Sequence, residues 1–180
     1  MRSIALSSSR SKPHEAPFVG PPWYVAGAWL VAAVVAQATV VHYFAVRGVV
    51  PSFVLAVVVW YAIRVDVRRA ALYGLVAGFC EDAISAQTGA AWTISTGISA
   101  LLAGILSRGF FADSIPLATA ITVVATLVRA LLFWIVMALT GYPPGLGAMH
   151  FHEALIASVL NAALMFVAML VVRRFDALLA

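Results

Sequence analysis

Between Ile115 and Leu139 the chain runs for 25 residues with Arg129 as its only charged side chain. At about 1.5 Å of rise per helical residue, such a run is long enough to cross a hydrocarbon core of about 30 Å. A segment of this kind restricts the chain to helical structure in an apolar surrounding, because a backbone cut off from water must satisfy its own hydrogen bonds. The rest of the sequence agrees: 64% of the 180 residues are hydrophobic and 10% are charged, whereas soluble domains average about 45–50% and about 25%. The mean hydropathy is +1.04. The reading is an all-α, polytopic integral membrane protein built as one bundle.

Five further apolar segments accompany the first: Trp23 to Val46, Val49 to Ile63, Ala70 to Ala86, Ala90 to Leu106 and Ala154 to Val172. The second is the shortest, and Pro51 lies near its start. Three parts of the chain result: a polar, Ser- and Pro-rich tail over 1–22 with the composition of a disordered segment, a six-helix transmembrane domain over 23–175, and a short C-terminal tail over 176–180. Pro21 and Pro22 suit a first helical turn, with Trp23 and Tyr24 at headgroup level.

Orientation follows from the basic residues. Of the 11 Lys and Arg residues, nine fall in the N-terminal tail, the loop after the second segment (Arg64, Arg68, Arg69), the loop after the fourth (Arg108) and the C-terminal end. Only Arg47 falls in the opposite loops, and Arg129 lies within a span. By the positive-inside rule both termini are cytoplasmic. The pI of about 9.7 does not point to nucleic acid, since these charges are dispersed at segment ends rather than gathered in one basic stripe. The single cysteine, Cys80, has no intrachain disulfide partner.

With that orientation, helical rise sets depth. Glu81 and Asp82 fall roughly 18–20 Å from the cytoplasmic end, Arg129 and Gln37 roughly 22 Å, and Asn161 roughly 18 Å. Four segments therefore place their most polar side chains in one layer, where a charge needs a partner from a neighbouring helix. Arg129 is expected to pair with Glu81 or Asp82, with Gln37 and Asn161 completing the hydrogen bonds. Such a layer either holds the bundle together or lines a solvated ligand pocket. Gly74 and Gly78, four apart, and Gly97 and Gly104, seven apart, form small-residue stripes that suit either close packing in a hairpin of the third and fourth segments or a groove for a partner helix.

Catalytic and cofactor signatures are missing: no GxSxG, HExxH, Walker A or GxGxxG pattern occurs. Adjacent acids such as Glu81 and Asp82 point about 100° apart on a helix and cannot flank one reacting bond. Neither an enzyme nor a cofactor is expected. His150, His152 and Glu153 cluster in a Pro- and Gly-rich stretch read as a loop, but i and i+2 do not share a helical face. His42 is the only other histidine that suits that side, so no metal site is expected.

The stretches "YGLVAGFCEDAISAQTGAAW" and "SRGFFADSIPLATAITVVATLVRALLFWIV" resemble the bacterial rod-shape-determining protein MreD family over about residues 25 to 175. The likeness rests on a glycine-rich third span ending in an acid, a glycine shortly after it, and a basic-aromatic turn at Arg108, Gly109, Phe110 and Phe111. The Ser/Pro-rich tail is not part of that pattern. The resemblance implies a non-enzymatic inner-membrane scaffold subunit of the cell-wall elongation complex, which helps organise peptidoglycan synthesis. Its implied partners are an MreC-like single-pass protein, a glycan polymerase, a penicillin-binding transpeptidase, an MreB-like filament and membrane lipids. The implied fold is similar to the substrate-binding components of energy-coupling-factor transporters, six helices around an outward-opening cavity. A competing expectation is a vitamin-type substrate-binding subunit of such a transporter, docking its transport module through Ala28, Ala32 and Ala36.

Overall fold

In a computed structural model of the chain, residues 20–85, 88–108, 114–141 and 144–179 are described, with side chains followed as far as Arg174. The expected tail over 1–22 lies almost wholly outside them, as do Gly109, Phe110 and Phe111. The described residues are helical: α1 (Trp23–Thr39), α2 (Phe53–Ala62), α3 (Val67–Ser85), α4 (Ala91–Leu106), α5 (Ile115–Leu139) and α6 (Gly147–Leu179), with short 3-10 turns at Val41–Phe44 and Pro144–Leu146.

The organising element is α2, only 10 residues long and therefore about 15 Å. It packs against each of the other five α-helices. Val54, Leu55, Val58, Val59 and Ala62 are fully buried, as expected of a helix that is apolar on every side. Ser52 starts it, with its Oγ accepting the Leu55 N–H at 3.1 Å, the arrangement that satisfies one of the free donors of a first turn.

The helix boundaries differ from the apolar runs most at α1 and α6, and α6 also continues past Val172 to Leu179, through most of the expected tail over 176–180. The first run was expected to stay helical to Val46, yet α1 ends at Thr39. The chain then makes a tight turn in which Val46 and Val49 exchange backbone hydrogen bonds at 2.8 and 3.0 Å. Arg47 and Gly48 take φ of 52° and 83°, the left-handed pair that a two-residue type I′ turn requires. Apolar composition cannot register such a turn, whereas Arg-Gly can adopt it. In the other direction, the last helix begins at Gly147 rather than Ala154. His150, His152 and Glu153, assigned to a loop, therefore stand on its first two turns. A helix start with polar residues falls below any hydropathy threshold.

Two helices, Ile115–Leu139 and Gly147–Arg174, are long and apolar enough to cross a membrane. The core of a soluble protein would hide such helices, but only 28% and 22% of their most apolar windows are buried inside the bundle.

The glycine stripes do their packing within the chain. A Cβ on Gly78 would meet the backbone of Trp92 and stand 2.6 Å from the Cα of Thr93. One on Gly74 would stand 2.9 Å from the carbonyl oxygen of Thr96, and one on Gly97 would strike the Leu75 side chain at 2.5 Å. Gly104 faces Ala70 and Val67. All four glycines are buried, and α3 and α4 form a close hairpin across them. The alternative expectation, a groove open to a partner's helix, is thereby corrected: each stripe is filled by the other.

Replacing Gly78 with Ala should therefore push α4 from α3 and lower the stability of the isolated protein by about 1–3 kcal/mol. Gly27, where an added Cβ meets nothing within 4 Å, supplies the control, and Gly27→Ala should leave the detergent melting temperature unchanged or slightly raised, since Ala is the better helix former. Equal melting of the two variants would count against this packing.

Candidate functional site

The polar residues of four helices meet around the start of α2. Arg129, 6% exposed, projects from the middle of α5. Its Nη2 donates to both Glu81 oxygens at 2.6 Å, and Nη1 donates to Ser52 Oγ at 3.0 Å. The guanidinium also lies over the Trp92 ring, 4.4 Å from its centroid, where the electron-rich face adds attraction for the cation. Glu81 accepts a further bond from Thr96 Oγ1 at 3.2 Å. Of the two acids offered as partners, Arg129 takes Glu81.

Asp82 does something else. As a neighbour on the same helix it points away from Glu81, toward the start of α4. Its Oδ1 accepts from Thr88 Oγ1 and the Trp92 N–H, and its Oδ2 accepts from the Thr93 N–H and Thr93 Oγ1, at 2.7–3.0 Å. An N-cap normally comes from the residue just before a helix. Here the cap is a carboxylate from the preceding helix, so one side chain satisfies two amide donors of α4 and also sets its distance from α3. A negative charge is favoured there by the helix dipole.

Gln37 and Asn161 complete the start of α2. Gln37 Oε1 accepts the Phe53 N–H at 2.8 Å while its Nε2 donates to the Pro51 carbonyl at 3.3 Å. Asn161 Oδ1 accepts the Ser52 N–H at 2.6 Å, and its Nδ2 donates to Thr126 Oγ1 at 3.1 Å. A helix that begins inside a bundle leaves its first N–H groups without water, and here side chains of α1, α6 and Ser52 itself take them up. Ser52, Trp92, Thr93, Thr96 and Thr126 were not singled out in the sequence. Ser52 could have been, because a Ser directly before an apolar helical run is an N-cap signal.

The layer is not sealed above. Glu81 lies one turn from the end of α3, whereas Arg129 lies about three turns from the end of α5 and Asn161 about four turns into α6. The shorter helices stop while the longer two continue. A cavity of about 380 Å³ occupies the difference, lined by Gln37, Ser52, Glu81, Trp92, Arg129 and Asn161, and by His150 and Glu153 on the first turns of α6.

The remaining sequence candidates scatter. His150 is held with its Nε2 2.9 Å from the Ala130 carbonyl oxygen and stacks on Phe133 and Trp134. His152 is exposed. Among the described residues no group of three or more His, Cys, Asp and Glu is arranged to hold a metal ion. Of the basic turns, Arg68 and Arg108 are exposed, and Arg69 pairs with Asp66 at 3.5 Å at the surface. Arg64 differs from these: it folds back, donating to the Trp60 carbonyl at 3.0 Å and lying over the Trp60 ring. Ala28 and Ala32 are exposed on α1, and Ala36 is half-buried.

The chain matches no family model, no curated protein and no solved structure.

Two predictions rest on this geometry. Removing one member of a buried ion pair leaves the other uncompensated, an effect of about 3–5 kcal/mol. Arg129→Ala should therefore destabilise the protein strongly, while adding Glu81→Gln should recover part of the loss. Melting of the two single variants and the double variant in detergent measures the coupling, and simple additivity would exclude the pairing. Asp82→Ala should lower stability by about 1–2 kcal/mol through loss of the cap, with Asp82→Asn milder because one oxygen still accepts. Amide exchange at Trp92 and Thr93 should rise in the Ala variant, and unchanged exchange there would exclude the capping role.

Proposed function

We propose that this protein is a multi-pass scaffold subunit of the bacterial inner membrane, of the MreD kind, non-enzymatic and serving the cell-wall elongation complex. Six crossings with both termini in the cytoplasm are part of the same reading. Its support is the alternation of the arginines, nine of the 11 basic residues falling on one side. The ten-residue α2 contributes one crossing as a half-length helix, with the extended segment before it shielded by α1 and α6; backbone of that kind is tolerated at membrane depth only inside protein.

The observation that carries the scaffold reading is how the resembling stretch is employed. Gly74 and Gly78 close the α3–α4 contact, Asp82 caps α4, and Glu81 neutralises Arg129. Each of these four residues holds one helix against another, which gives the rigid frame that a scaffold subunit needs.

Since the glycine groove is closed, a partner's transmembrane helix has to dock elsewhere. The exposed Ala28 and Ala32 on α1 offer a small-residue face of the kind that lets helices approach. The partners on this reading are an MreC-like single-pass protein, with the glycan polymerase, the transpeptidase and the MreB-like filament assembled around it. The exposed Arg68 and Arg108 would meet anionic lipid headgroups.

Affinity purification from cross-linked bacterial membranes should recover a single-pass protein with a periplasmic coiled coil and a cell-wall polymerase. Ala28→Leu combined with Ala32→Leu should reduce that recovery several-fold while the melting temperature stays unchanged. Recovery of a nucleotide-driven transport module in their place would favour the carrier class. Labelling of either terminus from the periplasmic side would overturn the six-crossing arrangement.

A further inference from the structure

The cavity above the polar layer has a chemistry that bundle-holding does not require. Its volume of about 380 Å³ falls within the range of small-ligand sites, and its walls are chiefly apolar, with Val34, Val54 and Leu55 on one side and Trp92 on another. Three charged side chains line it: Glu81, Arg129 and Glu153. Arg129 and Glu81 neutralise each other at 2.6 Å, which leaves the half-buried Glu153 carboxylate uncompensated. Glu153 makes no hydrogen bond or ion pair among the described residues.

Two further groups bear on what the cavity can hold. His150 sets its Nε2 2.9 Å from the Ala130 carbonyl oxygen, so that nitrogen donates, and a neutral ring would leave Nδ1 as an acceptor. At the deep end Arg129, 6% exposed, uses Nη1 and Nη2 on Ser52 and Glu81, while its Nε–H is buried and not open to the cavity. A net negative charge thus stands on the first turns of α6.

We propose that this cavity binds a small organic cation: a protonated amine on a mainly apolar body. The ammonium group lies at Glu153, beside His150, and the body lies along the apolar wall and Trp92. An anion of the same size is excluded because it would place a second negative charge beside Glu153 without displacing Glu81 from Arg129. The site is independent of partner docking on α1, and neither inference requires the other.

Two matched probes test it on the full chain in lipid nanodiscs, with empty nanodiscs correcting for partition into lipid: 4-methoxyphenethylamine and 3-(4-methoxyphenyl)propionate. Equilibrium dialysis should show one saturable site per chain for 4-methoxyphenethylamine, and binding of the propionate weaker by at least about tenfold. Glu153→Gln, at the edge of the fold's polar core, should weaken the methoxy amine by about tenfold with unchanged melting. Ala157→Phe, which fills the cavity from α6, should abolish saturation. Equal affinity for amine and propionate, undiminished binding to Glu153→Gln, saturable binding that survives Ala157→Phe, or no saturable binding of any probe would each overturn the proposal.

Discussion

A guanidinium inside an apolar bundle must be both neutralised and hydrogen-bonded, because a buried unpaired charge is far more unfavourable than any single packing contact is favourable. That demand links the parts of this protein. Arg129 on α5 reaches Glu81 on α3, Ser52 at the head of α2 and the Trp92 ring on α4. Through one planar group, four helices are held in a fixed rotational and vertical relation. The pair itself need not add net stability. What it does is exclude other arrangements, since any slippage of α3 against α5 strips the charge of its partner.

Around that pair, the structure solves a second problem, the start of a helix away from water. The three amide donors of Ser52, Phe53 and Leu55 are taken by Asn161, Gln37 and the Ser52 hydroxyl. The polar layer is therefore two devices sharing Ser52: a charge clamp between α3 and α5, and a cap assembled from α1 and α6. The Asp82 cap on α4 repeats the second device next to the first. Satisfying these groups internally leaves the outward faces of the helices apolar, as the exposed Val31, Val35, Leu131, Val159 and Val167 illustrate.

Much of this was legible in the residues, for a physical reason. Depth along a helix is linear in residue number, so counting from the basic loops brought Gln37, Glu81, Arg129 and Asn161 to one level. The uninterrupted run from Ile115 to Leu139 coincides with α5 at both ends. Rotation about the axis was less legible. The adjacent acids differ by about 100°, and which one faced Arg129 depended on how the Gly74–Gly78 stripe seats α3 on α4, a matter of tertiary packing. The ends of α1 and α6 were misjudged because hydropathy measures burial and not backbone conformation. An Arg-Gly turn can hide in a greasy run, and a helix can begin among histidines.

The bond between the Ser52 amide and Asn161 joins residues separated by 109 positions. During biosynthesis, α2 leaves the ribosome long before the residue that completes its cap exists. Until α6 has been made and has settled, the head of the central helix has to find its hydrogen bonds elsewhere, from water or from other chains. The core of this protein is consequently laid down early but closed last, and truncation before Asn161 would leave the earlier helices translated yet without a finished centre.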